Sequence, residues 1–227
     1  MIVAVASVLD EAGIIEQTVT HLLGQGVDHI IVSDGGSVDG TREILTSITN
    51  VTLVDQINPF HQANEMTKLA RLAGRLGADW VVPFDADEFW CGVAGLADLS
   101  ETIGTVYATM WQYVDMQRRH LIPKPLPKVA FRPNQGCRLA WGQHSVEGVP
   151  GGAASGLTVC ELQYRDFDHF VAKVEKARRL HASWDIPAQY GSHMTVLFDA
   201  DLQATWKAMQ DIPTLLDPID YRGVEWT

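Results

Sequence analysis

The chain is 227 residues long, 46% hydrophobic and 20% charged, which fits one soluble globular domain, with at most a small appendage, that buries a core without staples. Seventeen basic residues against 28 acidic ones give a formal charge of −11, which argues against general nucleic-acid binding through the phosphates. An anionic ligand would need the acids gathered around a metal, or basic residues gathered locally. The longest apolar run, Met1 to Leu9, is broken by Ser7 and is too short to cross a membrane. It has neither the basic leader nor the cleavage site of a secretory signal. Cys91, Cys137 and Cys160 are odd in number and widely spaced, so they make neither a zinc pattern nor a disulfide framework. A reducing, cytoplasmic setting is expected.

Ile2 to Leu9 reads as a central parallel strand buried on both faces. From Glu11 to Gly24, Ile15, Thr18, Val19, Leu22 and Leu23 recur at helical spacing, and Gly24 and Gly26 end the helix. His29 to Ser33 is a second short strand. It runs into the turn Asp34-Gly-Gly-Ser-Val-Asp-Gly-Thr, where Asp39 is placed to cap a helix through Arg42, Ile44, Leu45 and Ile48. Val51 to Val54 is a third strand. After Asn58-Pro59, a helix from about Gln62 to Leu76 buries Met66, Leu69, Ala70 and Ala73. Asp79 to Phe84 is a fourth strand, and Pro83 marks the end of its pairing because proline donates no ladder hydrogen bond. This alternation predicts a doubly wound parallel sheet with right-handed crossovers.

The fourth strand ends in three acids, Asp85, Asp87 and Glu88. Ligands of open α/β sheets bind at the carboxyl ends of strands. Two carboxylates one residue apart can face a hard cation that bridges phosphate oxygens. The same Asp-Ala-Asp also reads as a helix N-cap or an acidic turn. Neither a dinucleotide fingerprint nor a phosphate-cradling P-loop is present: Leu9-Asp10-Glu11 follows the first strand, and Gly-Lys-Ser/Thr is absent.

Three features taken together resemble the family 2 glycosyltransferases. They are the first strand leading to Asp10-Glu11, the turn Ser33-Asp-Gly-Gly-Ser-Val-Asp-Gly-Thr, and Gly77-Ala-Asp-Trp-Val-Val-Pro-Phe-Asp-Ala-Asp-Glu-Phe. The resemblance is to the small branch whose acidic motif reads Asp-x-Asp-Glu-Phe. It covers residues 1–90 well and extends weakly to Lys176. It implies a nucleotide-sugar-binding fold of the GT-A type, a divalent metal (Mn²⁺ or Mg²⁺), and inversion at the anomeric carbon. Carried over, the backbone at Ser7 and Val8, with Glu11 nearby, would edge the nucleotide pocket. Asp34 would accept hydrogen bonds from the base or ribose. Asp85 would lie by the ribose or metal, and Asp87 would bind the metal. Each has a plainer reading, Asp34 as a turn residue and Glu11 as a first-turn helix charge. His61 and Gln62 lie where the third strand opens toward the pocket, as contacts to base or diphosphate or as solvated helix-start residues. Lys68 and Arg71 could neutralise phosphate but read first as a surface helix face.

Beyond Trp90, Thr105 to Val114 reads as a strand, Ile122 to Pro127 as a loop, and Val129 to Arg132 with Arg138 to Trp141 as a hairpin. Gly142-Gln-His resembles the Gly-x-His segment of related transferases, which makes His144 the third metal ligand expected. An inverting transferase needs a carboxylate base for the acceptor hydroxyl. Asp115 and Glu147 are the candidates, with Glu161 a third. Trp111, Tyr113 and Trp141 are candidates for an acceptor-stacking wall or for the core. Related sequences often carry a histidine where Gln163 stands. Next, Phe167, Phe170, Val171, Val174 and Ala177 mark the buried stripe of a helix, with Lys173, Lys176, Arg178 and Arg179 on a polar side that reads first as a solvated face and second as a cluster able to reach phosphate or an anionic membrane surface. Phe198-Asp-Ala-Asp repeats Phe84-Asp-Ala-Asp. It precedes Leu202, Thr205, Trp206 and Met209 at helical spacing, so it reads as an N-cap rather than a metal site.

The expected fold is α/β: a GT-A-type single domain with a Rossmann-like, mostly parallel central sheet flanked by helices, plus a C-terminal helical extension. Residues 1–185 would be the transferase domain (1–90 the nucleotide half, 91–185 the acceptor half), with 186–227 packed on it. The expected activity is metal-dependent transfer from a UDP- or GDP-sugar to a glycan, lipid-linked or protein hydroxyl. One alternative is a sugar-phosphate nucleotidyltransferase, whose Gly-Thr-Arg loop would follow strand one, whereas Gly40-Thr41-Arg42 follows strand two. Another is a non-catalytic nucleotide-sugar-binding scaffold. The tail from Asp211, with Pro213, Pro218 and Trp226, reads as a pocket cover, an oligomer contact or a frayed end. No transmembrane segment is expected, and peripheral membrane contact stays open.

Overall fold

The computed structural model describes residues 1–56, 61–183 and 192–218. The chain opens with β1 (Ile2–Val8), α1 (Ile15–Gly24), β2 (His29–Asp34), α2 (Thr41–Ser47), β3 (Val51–Asp55), α3 (Gln62–Arg75) and β4 (Trp80–Pro83). It continues with β5 (Glu88–Cys91), β6 (Ile103–Gln112), β7 (Arg118–His120), β8 (Lys128–Phe131), β9 (Arg138–Leu139), β10 (Val146–Glu147) and β11 (Gly152–Glu161). The last described elements are α4 (Phe167–Ser183), α5 (Ser192–Thr195), α6 (Leu202–Gln210) and β12 (Thr214–Leu216).

Eight strands form one sheet in the order β3-β2-β1-β4-β8-β6-β11-β5. The β1–β2, β2–β3, β1–β4 and β6–β11 ladders are parallel. β8 runs antiparallel to both β4 and β6, and β5 antiparallel to β11. β1 is apolar throughout because both its faces are covered. Val3 and Val5 pack with Met66, Leu69, Ala70 and Ala73 of α3. Ala4, Ala6 and Val8 join a second cluster with Ile15, Val19 and Leu22 of α1 and Leu45 of α2. This is the pattern of a parallel strand sandwiched between helices, and the whole is the Rossmann-like, GT-A-type single domain expected.

Three local expectations change. The first helix begins at Ile15, not Glu11, because Asp10 turns the chain at φ 51°. The N–H groups of Glu11 and Ala12 then donate across to Thr41 Oγ1 (2.8 Å) and Asp39 (2.9 Å). Asp39 is therefore a brace between the β1 and β2 turns. The cap position of α2 belongs to Gly40, whose φ of 101° suits glycine. The expected hairpin from Val129 to Trp141 does not form. All four residues of β8 are buried, so β8 sits between β4 and β6, while β9 pairs with β10. Pro83 is the last residue of β4, as its missing N–H requires.

The C-terminal part packs through Tyr164, Phe170, Val174 and Met194, with Phe167, Leu197, Phe198, Leu202 and Trp206 against them. The extension is not wholly helical: β12 pairs antiparallel with β7. The Asn58-Pro59 turn and Trp226 lie outside the described residues. The second Asp-Ala-Asp does cap a helix, since Asp201 accepts a hydrogen bond from the N–H of Ala204 at 3.0 Å. Asp201→Ala should cost about 1 kcal/mol in urea unfolding. Asp199→Ala should cost clearly less; an equal loss in both would contradict the cap.

Candidate functional site

Strand direction builds the site. β1 and β4 are parallel, so Ser7, Val8 and the Asp85–Asp87 turn emerge at one sheet edge. β8 runs the other way, so its first residue, Lys128, arrives at that same edge. β11 ends there too, with Glu161 in register with Glu88, the first residue of β5. α4 then passes over the edge and turns Lys173 and Lys176 toward it. A cavity of ≈ 660 Å³ results. Its lining includes Ser7, Val8, Glu11, Asp85, Asp87 and Glu161.

Each acid here has an ammonium beside it. The Lys128 ammonium, 1% exposed, lies 2.8 Å from Asp85, 2.7 Å from Glu88 and 2.8 Å from the side-chain oxygen of Gln143. Lys173 pairs with Asp87 and donates to the Gln163 carbonyl at 3.3 Å. Lys176 donates to Glu11 at 2.6 Å and to the carbonyls of Leu9 and Asp10 at 2.9 and 3.2 Å. Lys124 contacts both oxygens of Glu161, at 3.0 and 2.7 Å.

Burial and these charges set the ionisation. Burial pushes the Glu88 carboxyl well up, against the pull of Lys128. Burial likewise raises Glu161, helped by the charge of Asp87 and opposed by Lys124. At Asp87 burial works upward too, but Lys173 and Lys128 bring the carboxyl below its usual value. Burial would lower both Lys128 and Lys173, yet their carboxylate partners hold them above the ordinary lysine value. Burial lowers His144. Its Nδ1 is 2.8 Å from the Pro127 carbonyl, so that nitrogen carries the proton and donates. Gly142, at φ 72°, sits so close to His144 that a Cβ would stand 2.7 Å from Nε2.

Of the residues singled out in the sequence, Ser7, Val8, Glu11, Gln62, Asp85, Asp87, Trp141 and His144 line the cavity. Asp34 does not. It is buried in its own turn, accepting from Ser37 Oγ at 2.6 Å and from Arg42 at 3.1 Å. His61 caps α3 and meets Trp141 edge-on, with ring centroids 5.1 Å apart. Both leading base candidates lie elsewhere. Asp115 shapes the turn before β7, accepting from the N–H groups of Gln117 and Arg118, each at 2.8 Å. Glu147 is exposed on β10, opposite Arg138. Glu161, the third candidate, is the one brought into the cavity. Tyr113 is core, and Trp111 carries the Arg119 guanidinium 3.5 Å above its ring. Arg71 donates to the Cys137 carbonyl, and Lys68 pairs with Glu65 at 3.6 Å.

Lys124 and Lys128 carry no signal in the sequence, and for Lys173 and Lys176 phosphate contact is there only the second reading, behind a solvated face. Lys173 and Lys176 sit three apart on a polar helix face, which looks the same whether it meets water or a cavity. The net acidity, with its demand for local bases around an anion, was the available signal.

The donor set does not fit a divalent cation. Among the described residues no group of three His, Cys, Asp or Glu side chains converges to hold a metal. Asp85 and Asp87, two of the three ligands expected with His144, carry lysine ammoniums instead.

The family profile for Glycosyl transferase family 2 matches residues 4–144, more than half of the chain. The chain belongs to glycosyl transferase family 2. Among solved structures, this family 2 chain is similar to glucosyl-3-phosphoglycerate synthase from Mycobacterium tuberculosis in complex with Mg²⁺ and uridine-diphosphate. That likeness has 22% identity over 48% of this chain and 43% of that one, with a TM-score of 0.37. It is similar to S. aureus TarS, at 12% identity over 87% of this chain and 42% of that one, with a TM-score of 0.46. A putative glucose-1-phosphate thymidylyltransferase from Bacillus anthracis, in complex with a sucrose, shares 11% identity over 93% of this chain and 85% of that one, with a TM-score of 0.39. The chain spans less than half the length of the first two structures. Comparison with the curated proteins gives no match. Among the described residues no helix is long and apolar enough to cross a membrane.

Two measurements bear on this geometry. Lys128→Met leaves Asp85 and Glu88 without their cation and should cost about 3–5 kcal/mol in urea unfolding. Adding Glu88→Gln should recover part of that loss; no recovery would show that Glu88 is not the destabilised group. His169, in the first turn of α4, accepts from the Arg165 N–H at 3.2 Å. Burial, with the nearby positive charge of Arg165 and Lys173, takes it from 6.5 down to about 4. The native state stays neutral where the unfolded chain already binds a proton, so this stability is present above pH 6.5 and is lost as pH falls toward about 4. Melting temperature against pH should therefore fall less steeply in that window for His169→Gln than for wild type.

Proposed function

We propose that this family 2 chain transfers a sugar from a nucleoside diphosphate to a hydroxyl acceptor, with inversion at the anomeric carbon. The observation that carries the reading is the cavity at the carboxyl ends of β1 and β4, lined by Asp85 and Asp87 and by Glu161 at the end of β11. The family match supports a nucleotide-sugar donor there. Ser7, Val8 and Glu11 edge the nucleoside, and Gln62 reaches in from the start of α3. Asp34 acts one step back, by shaping the β2 turn through Ser37 and Arg42. On this reading the Asp-x-Asp-Glu-Phe branch motif supplies Asp85, Asp87 and the buried Glu88. Residues 1–185 are the transferase domain and 186–227 the extension, whose described part packs on α4 through Met194, Leu202 and Trp206.

Glu161 is the base. As the acceptor oxygen attacks the anomeric carbon, Glu161 takes its proton. The bond from that carbon to the phosphate oxygen breaks on the opposite face, and its electron pair leaves with the diphosphate. Lys124, on both oxygens of Glu161, orients the carboxylate. The acceptor is a hydroxyl of a glycan, a lipid-linked glycan or a protein.

Glu161→Gln should keep donor binding by calorimetry but lower kcat about 100-fold or more, measured as diphosphate release from a panel of UDP-, GDP- and dTDP-sugars. Asp115→Asn and Glu147→Gln should turn over like wild type. Wild-type turnover by Glu161→Gln would remove the assignment.

A further inference from the structure

We propose that lysine ammoniums, not a divalent cation, supply the positive charge of this site, with Lys173 and Lys176 holding the donor's diphosphate. The inference rests on the nucleotide-sugar reading above. A cation at paired aspartates would do two things: neutralise the acids so that a diphosphate can approach, and bind its oxygens. In this chain lysines are placed for both.

Neutralisation is built into the fold. Lys128 is 1% exposed, donates to Asp85 and Gln143, and has the Glu88 carboxylate 2.7 Å from its nitrogen. Removing any of these partners for a metal leaves a buried ammonium short of one, which is costly. Lys128 is therefore a fixed charge, and Asp85 and Glu88 are committed to it. Around the cavity, four ammoniums (Lys124, Lys128, Lys173 and Lys176) stand against five carboxylates (Glu11, Asp85, Asp87, Glu88 and Glu161), and every carboxylate has an ammonium in contact. An incoming diphosphate meets nearly balanced charge rather than bare acids.

Binding falls to α4. Lys173 and Lys176 lie one helical turn apart and both line the cavity, with side chains 18% and 17% exposed. Each spends a donor on a long contact to a main-chain carbonyl: Lys173 to Gln163 at 3.3 Å and Lys176 to Asp10 at 3.2 Å. Those contacts can be exchanged for phosphate oxygens without breaking the ion pairs to Asp87 and Glu11. Lysine serves phosphate as a point charge, and ammoniums pinned by carboxylates need no reorganisation when the leaving diphosphate gains charge.

The experiment is calorimetric titration of UDP, GDP and dTDP, in EDTA and in Mn²⁺, on wild type, Lys173→Met and Lys173→Arg, with thermal melts to establish folding. One diphosphate should bind in EDTA with an affinity within about twofold of that in Mn²⁺. Its affinity should fall as ionic strength rises. Lys173→Met should lose about tenfold or more, the worth of one charge-assisted hydrogen bond, and Lys173→Arg should retain most of it. Binding that requires Mn²⁺ would overturn this inference and leave the transferase reading standing. Binding in EDTA that Lys173→Met leaves unchanged would overturn the role of α4. No binding of any diphosphate in either condition would overturn the nucleotide reading, and this inference with it.

Discussion

The Lys128 ammonium is surrounded by Asp85, Glu88 and Gln143 at 2.7 to 2.8 Å and is almost wholly shielded from water. A charge in that position is tolerable only if its partners come from the right elements in the right order. Asp85 follows β4, Glu88 opens β5, Lys128 opens β8 and Gln143 precedes β10. The contact thus joins the parallel nucleotide half of the sheet to the antiparallel strand that begins its second half. It depends on β8 running opposite to β4, since a parallel β8 would carry Lys128 to the far edge.

The same geometry gives the cavity its chemistry. At a carboxyl edge of parallel strands, the loops that lead into the next elements gather in one crevice, and here they bring short acidic turns together. In this chain the edge also collects lysines from three sources: the loop before β8, β8 itself, and α4. Their ion pairs hold the turns in place and balance the acids. Lys124 orients Glu161, while Lys128 and Lys173 occupy the two aspartates, so positioning and neutralisation come from one set of contacts.

α4 links the site to the C-terminal part. Its apolar stripe packs Phe170 and Val174 against Tyr164, Met194 and Trp206. Its other face sends Lys173 and Lys176 into the cavity. The extension therefore bears on the lysine pair through the packing of α4, although its own second Asp-Ala-Asp only caps a helix.

The sequence by itself determined the four parallel strands, the helices between them and the strand-end motifs, because each is written in short-range periodicity and turn chemistry. Ile2 to Leu9 is apolar on both faces, Pro83 must end a ladder, and Asp201 precedes a helical pattern. From these the doubly wound core, and Asp85 and Asp87 at a strand end, were legible; the GT-A type, and Ser7 and Glu11 at the pocket, came from the resemblance to family 2. Tertiary structure alone decided which charges meet. Strand order and direction placed Lys128 beside Asp85, 43 residues away. They also brought Glu161 into the cavity while leaving Asp115 in a turn and Glu147 on the surface. They turned the polar face of α4 inward, where Lys173 took up Asp87, an acid that the motif alone assigned to a metal, and Lys176 took up Glu11. Local pattern reports which face of an element is polar; only long-range pairing determines what that face meets.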